Sequence, residues 1–262
     1  MSPLLGAVTA RAVLAWIRRD PRAAALERTN FHGRTVTLAG GPALAAGATL
    51  GAVAGGQHPL AALTAGAVSG AVGFYDDVVG NRPEQKTAKG FRGHLGALRE
   101  GRVTAGLVKI VGVGAGALVA SALLPSRNKA DVLLGAGVIA GTANLLNLLD
   151  LRPGRALKAG AAIGAPLALG RRGGVAAGTL GAAAALLPAD LGEEIMLGDA
   201  GANALGALLG VALAARTGPF GRAVALTVLA GLTAASEKIS FTKVIEDTPW
   251  LRTLDELGRL PR

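Results

Sequence analysis

The sequence lacks cysteine altogether and is poor in histidine, aromatic and charged residues. Its 262 residues include no Cys, three His and eight aromatic residues. Without cysteine the chain has no disulfides, no thiolate metal site and no cysteine nucleophile. Charged residues make up 17% of the chain, whereas a soluble domain carries about 25%. A chain this poor in charge cannot cover a globular surface with polar groups, so an ordinary soluble domain is excluded.

Long apolar runs are what the chain has instead. Hydrophobic residues make up 51% of it, there are 40 Gly residues, and the mean hydropathy is +0.46. This apolar content excludes a disordered chain. We expect an all-α integral membrane protein, a single polytopic domain over residues 1–262 with about nine transmembrane helices. The candidate spans are 3–17, 38–56, 59–75, 104–124, 132–149, 157–170, 175–188, 202–215 and 223–236.

Basic residues divide unequally between the loops on the two sides of these spans. One set of loops carries 19 Lys and Arg residues and the other set carries six. Because an excess of Lys and Arg marks cytoplasmic loops, we expect the N-terminus outside and the C-terminus inside a multi-pass protein of the cell membrane. The cytoplasmic tail, residues 237–262, has the apolar spacing of an interfacial amphipathic helix. Topology and membrane lipids account for the net charge of +10, so no nucleic-acid partner is expected.

Acidic residues gather on the same side as the basic excess. Sixteen of the 17 Asp and Glu residues lie there, and Asp76, Asp77, Asp150 and Asp199 lie at the ends of apolar spans. Charges near the membrane are costly and commonly mark a substrate or ion site. A polar residue at one helix end needs no such explanation, but four carboxylates on one face favour a site. Oxygen ligands without Cys suit Mg²⁺, with Mn²⁺ as the alternative.

Basic residues in and near loop 80–103 complete the predicted site. Lys89 and Arg92 lie in this glycine-containing loop and are candidates for binding substrate phosphates. His94 is either an ordinary loop histidine or a contact to the same substrate. Lys109 lies inside an apolar span and therefore needs a partner, which is either an acceptor phosphate or an Asp.

Four short runs resemble motifs of a known family. They are Gly73-Phe-Tyr-Asp-Asp77, Lys89-Gly-Phe91, Asn144-Leu-Leu-Asn-Leu-Leu-Asp150 and Gly198-Asp-Ala-Gly201. In this order they resemble the polyprenyl-phosphate N-acetylhexosamine-1-phosphate transferases, across roughly residues 18 to 245. The resemblance implies Mg²⁺-dependent transfer of a sugar 1-phosphate from a UDP-sugar to undecaprenyl phosphate, with release of UMP. It also implies a homodimer.

The resemblance implies a role for each motif residue. Asp77 and Asp199 are the expected metal ligands, and Asp76 is either a ligand or the group that orients or deprotonates the acceptor phosphate. Asp150, the fourth catalytic candidate, is expected to contact the nucleotide together with Asn144 and Asn147; the alternative for Asp150 is a metal ligand or a base.

Two departures from the family pattern leave another function open. Pro153 stands where the family has a second Asp, and no histidine follows residue 94, although family members carry a histidine-rich segment in the last cytoplasmic loop. These departures favour the alternative of a catalytically weak membrane scaffold that binds polyprenyl phosphate or a partner of cell-envelope synthesis. A secondary transporter is disfavoured, because its ion site would lie near the midplane of the membrane.

Overall fold

The computed structural model describes residues 1–80, 82, 96, 97, 99, 101 and 103–261. Lys89, Arg92 and His94 lie outside the described residues, so their contacts with substrate stay predictions.

The described part of the chain is a helical bundle with one small two-stranded ribbon, which confirms the helical fold class. The ribbon pairs two antiparallel strands with Arg28 opposite Val36. The elements in chain order are α1 (Ser2–Arg19), a 3-10 helix (Pro21–Leu26), β1 (Glu27–Thr29), β2 (Thr35–Thr37), α2 (Gly40–Ala54), α3 (Pro59–Tyr75), a π-helical turn (Asp76–Gly80), α4 (Ala105–Ala122), α5 (Lys129–Leu149), α6 (Arg155–Ala168), α7 (Gly174–Leu191), α8 (Gly198–Arg216), α9 (Pro219–Ser236), α10 (Phe241–Asp247) and α11 (Pro249–Glu256).

The prediction of nine transmembrane helices is wrong in number. Helices α1 to α9 coincide with the nine apolar runs, but within the described residues only α4, α5, α7, α8 and α9 are long and apolar enough to cross a membrane. Helices α2 and α6 have 15 and 14 residues and rise only about 21 to 23 Å, against a hydrocarbon core of about 30 Å. Helix α3 is also short, at 17 residues, and α1 contains three arginines. The structure therefore supports a multi-pass membrane protein with five candidate spans.

The described loop segments between consecutive helices alternate between the two ends of the bundle. At one end, Thr37 pairs with Ile195, and Arg28 Nη2 donates to the carbonyl of Asp77 at 3.1 Å. At the other end, Gln57 Nε2 donates to the carbonyl of Arg171 at 3.3 Å. We call the first the carboxylate end (residues 20–39, 76–80, 150–154, 192–197 and 237–261) and the second the opposite end (residues 55–58, 123–131, 169–174 and 216–222).

Helix α8 lies at the centre of the bundle and is buried along most of its length. It packs against α2, α3 and α5, and small residues permit the close approach. A Cβ atom at Gly210 would lie only 2.7 Å from the Cα atom of Ile139 in α5. This central position brings the start of α8, with Asp199, to the place where α3 ends at Asp76.

Candidate functional site

Asp77 holds the first turn of α8 from a neighbouring element. Its Oδ1 accepts the N–H of Asp199 at 2.9 Å, and its Oδ2 accepts the N–H of Ala200 at 3.0 Å. The first N–H groups of a helix lack partners within the helix and carry partial positive charge. The residue before α8, Leu197, provides no side-chain cap. The carboxylate of Asp77 therefore satisfies two donors that α8 itself leaves open.

Gly198 makes this approach sterically feasible. Its φ angle is +56°, which favours glycine, and an added Cβ atom would lie 2.7 Å from Asp77 Oδ1. Asp77 is almost fully buried. Burial raises the pKa of Asp77 to about 6, although the two backbone donors favour its ionised form. The glycine in the Gly198–Gly201 motif is thus required by the close packing of the carboxylate.

Lys109 of α4 joins Asp76 to Asp199. Its Nζ lies 2.8 Å from Asp76 Oδ2 and also binds Asp199 Oδ2. The three side chains remain 16 to 22% exposed, so the cluster is open to solvent. The sequence left two partners open for Lys109, an acceptor phosphate or an Asp. In the structure, Lys109 pairs with two aspartates.

Two carboxylates thus converge on one cation-binding position. Among the described residues, no three His, Cys, Asp or Glu side chains form a group that could hold a metal ion. Mg²⁺, however, is commonly held by one or two carboxylates together with substrate phosphates and water. Asp76 and Asp199 fit that donor set, because the Lys109 ammonium already lies between their oxygens. The predicted metal pair was Asp77 with Asp199; in the structure Asp76, rather than Asp77, shares a cationic partner with Asp199.

Asp150 lies beside a separate cavity at the same end. The cavity has a volume of about 160 Å³, and Asp150, Asp190, Phe31 and Arg152 are among its lining residues. The guanidinium of Arg152 stacks over the ring of Phe31, 4.5 Å from its centroid. The cavity therefore combines carboxylates with a flat, positively charged wall.

The cavity and the Lys109 cluster are electrostatically linked. Burial raises the pKa of Asp150 well above its ordinary value, and the negative charges of Asp190, Asp199 and Asp77 add to the rise. The backbone N–H of Gly198 opposes it. Asp150 therefore lies near the start of α8, close enough to Asp77 and Asp199 for their charges to act on it.

The two asparagines of the predicted site have different surroundings. Asn144 Nδ2 donates to Thr233 Oγ1 at 3.0 Å and so connects α5 to α9. Asn147 lies one turn before Asp150, half-buried, and its carbonyl accepts the N–H of Asp150 at 3.2 Å. Asn144 is thus engaged in helix packing, and contact of either residue with a nucleotide stays a prediction.

Sequence reasoning missed the acidic residues of segment 189–197, which runs from the last turn of α7 to the start of α8. Asp190 is buried and accepts the N–H of Gly154 at 2.8 Å. Glu193 has a φ angle of +55°, and its buried carboxylate binds His32 Nδ1 at 2.7 Å and Asn30. The available signal was that this segment has several acidic residues and no Lys or Arg, so its carboxylates need partners from other segments.

No protein-family model matches the chain, and no curated protein matches it. The fold and the site define a multi-pass helical membrane protein with an aspartate–lysine cluster and an acidic cavity at one end of its bundle.

Proposed function

We propose that this protein transfers a sugar 1-phosphate from a UDP-sugar to undecaprenyl phosphate at the cytoplasmic face of the membrane, with Mg²⁺ and with release of UMP. The observation that carries the proposal is the convergence of Asp76, Lys109 and Asp199 beside the cavity of Asp150. The family resemblance of the sequence motifs supplies the identity of the substrates.

The position of the cluster suits a reaction between a soluble substrate and a lipid. Asp199 begins a candidate membrane span, and Lys109 lies in the first turns of another. The predicted set of loops to which this end belongs has 19 of the Lys and Arg residues in the sequence, which supports a cytoplasmic placement of this end. A nucleotide sugar would approach this end from water, and a polyprenyl phosphate would approach it from the bilayer.

Asp76 and Asp199 are the residues we propose for the metal. A divalent cation bound there would offset the negative charge of the diphosphate and of the departing UMP. Asp77 would position a metal ligand rather than bind the metal, because its hydrogen bonds from the N–H groups of Asp199 and Ala200 hold Asp199 in place. Asp76 would then serve in the first of its two predicted roles, as a ligand.

The chemical step needs few groups from the protein. An oxygen of the lipid phosphate forms a bond to the β-phosphorus of the UDP-sugar, and the bond from that phosphorus to the bridging oxygen breaks, so that UMP leaves. The lipid phosphate is already anionic and nucleophilic, so no general base is required. Lys109 is suited to bind the acceptor phosphate, whose oxygens would replace Asp76 and Asp199 as partners of its ammonium group. Asp150 and the Arg152–Phe31 wall are suited to the nucleotide.

A UMP-release assay tests the proposal. The purified protein in nanodiscs receives undecaprenyl phosphate, Mg²⁺ and, in turn, each member of a panel of UDP-sugars. We expect release with at least one donor and a loss of about a hundredfold or more in Asp199→Asn, the scale of losing an essential charged group. Glu256→Gln is the matched control, because it removes an acidic charge from the exposed tail at the same end, and it should retain activity.

One observation favours the scaffold as a second candidate. Lys109 already neutralises the carboxylates that a metal would need, as expected of a stable structural cluster. A scaffold would bind undecaprenyl phosphate and release no UMP with any donor of the panel. Binding of the lipid without turnover would therefore replace the transferase proposal with this one.

A further inference from the structure

The opposite end of the bundle carries an uncompensated positive charge. It has six Lys and Arg residues and one acidic residue, Asp131, and all of them are among the described residues. Asp131 and Arg222 form an internal ion pair at 2.8 Å, with side chains only 4 and 3% exposed. The other five basic residues of this end have no acidic residue of their own end near the surface. They are Arg127, Lys129, Arg171, Arg172 and Arg216.

A large cavity opens at this end of the bundle, and of the five basic residues only Arg172 lines it. Its volume is about 710 Å³, and Gln57, His58, Leu60, Leu123 and Arg172 are among the residues that line it. Its lining contains no acidic side chain. The loop that carries Gln57 and His58 is tied to the loop of Arg172, because Gln57 Nε2 donates to the carbonyl of Arg171. The lining of the cavity thus combines polar groups that can donate hydrogen bonds with apolar leucine side chains.

His58 and Arg172 are close enough to affect each other. Partial burial lowers the pKa of His58, and the positive charge of Arg172 lowers it further. Two nitrogen-bearing side chains that repel each other when both are charged face the same space. An anion between them would interact favourably with both.

We propose that this cavity is a binding site for a phosphate group, held by Arg172 with His58 and Gln57. The planar guanidinium of arginine matches the geometry of phosphate oxygens, and the amide and imidazole groups are hydrogen-bond donors. The apolar walls from Leu60 and Leu123 would accommodate the hydrocarbon portion of a phospholipid. The phosphate therefore belongs either to a lipid headgroup or to free phosphate. The site lies at the end away from Asp76 and Asp199, so it does not depend on the transferase proposal.

Two binding measurements on the full chain distinguish these sources. In the first, inorganic phosphate is titrated into the protein in phosphatidylcholine nanodiscs, and the melting temperature is followed. In the second, native mass spectrometry measures retention of phosphatidic acid after release from micelles that contain phosphatidic acid and phosphatidylcholine. Arg172→Gln is compared with Arg127→Gln, which removes the same charge from the same end but does not line the cavity. His58→Gln provides a second change within the cavity.

We expect Arg172→Gln to weaken the responding ligand roughly tenfold, the scale of one charged hydrogen bond, and Arg127→Gln to leave it unchanged. A response to inorganic phosphate identifies free phosphate as the source, whereas retention of phosphatidic acid alone identifies a lipid headgroup. His58→Gln, whose amide can still donate one hydrogen bond, should weaken binding less than Arg172→Gln. Equal weakening by Arg172→Gln and Arg127→Gln, or no response in either measurement, would overturn the proposal. The melting temperatures without added anion show whether each variant is folded.

Discussion

At the carboxylate end, the contacts of single acidic residues differ even between neighbours in the sequence. Asp76 and Asp77 are adjacent in sequence, yet Asp76 pairs with Lys109 while Asp77 caps α8. The carboxyl of Asp77 is also the more buried of the two. Equivalent substitutions at the two positions should therefore fail for different reasons: loss of Asp76 removes a charge from the open cluster, and loss of Asp77 releases the start of a membrane helix.

Lys109→Met provides the sharpest test at the residue scale. The change removes the Lys109 ammonium from its position between the carboxylates of Asp76 and Asp199, and it should lower the free energy of unfolding by about 1 to 3 kcal/mol, less than for a fully buried pair. If the two carboxylates can hold Mg²⁺, added Mg²⁺ should restore the melting temperature of this variant in detergent. The double variant Lys109→Met with Asp199→Asn is the control and should not respond. A melting temperature of Lys109→Met that is insensitive to Mg²⁺ would remove the pair from the metal proposal.

The helices meet through glycine contacts, which can be tested at the scale of one element. Gly210→Ala would place a methyl group against the backbone of Ile139 at the crossing of α8 and α5. We expect the overpacking to destabilise the protein by about 1 to 3 kcal/mol. Gly231→Ala in α9 is the matched control, because no atom lies within 4 Å of its added Cβ, and it should be neutral or slightly stabilising. Equal melting temperatures for the two variants would show that the crossing can relax.

The tail is a second element whose stability can be measured. Asp255 in α11 accepts hydrogen bonds from Arg155 Nε at 2.8 Å and Nη2 at 2.9 Å, and from Arg259 Nη2 at 2.6 Å. The contacts from Arg155 fasten α11 to the start of α6. The predicted interfacial role of the tail stays a prediction, although Trp250 and Leu254 are exposed as it requires.

Acid should release the tail. Burial alone would raise the pKa of Asp255, but the hydrogen bonds and charges of Arg155 and Arg259 outweigh it, and the pKa is lowered overall. A lowered pKa means that the stabilisation is fully present above the ordinary value of 3.8 and is lost as pH falls through the lower folded value. Pepsin cleavage within residues 249–260 should therefore increase steeply as the pH falls below 3.8. In Asp255→Asn the tail should be cleaved at every pH tested, whereas a sharp acid onset in that variant would assign the effect to another group.

The whole molecule has two ends with different charge. The carboxylate end mixes both signs, whereas the opposite end is almost entirely basic. The excess of basic residues predicts that the carboxylate end is cytoplasmic. In a chain without Cys, Lys238→Cys and Arg127→Cys provide one label position at each end. A membrane-impermeant maleimide should label Arg127→Cys in intact cells and Lys238→Cys only after permeabilisation, and the reverse pattern would invert the topology.

The sequence by itself determined the helices and the side on which the carboxylates gather. Apolar runs bounded by charged or glycine-rich segments are local features, and α1 to α9 follow them closely. Even there, the number of candidate spans required the observed helix lengths, because the runs did not show where each helix begins and ends. Only the tertiary structure decided that Lys109 binds both Asp76 and Asp199, that Asn144 donates to Thr233, and that segment 189–197 lines the Asp150 cavity. These contacts join residues far apart in the chain. They depend on which helix faces pack against each other, and the residue pattern of a single sequence does not show that.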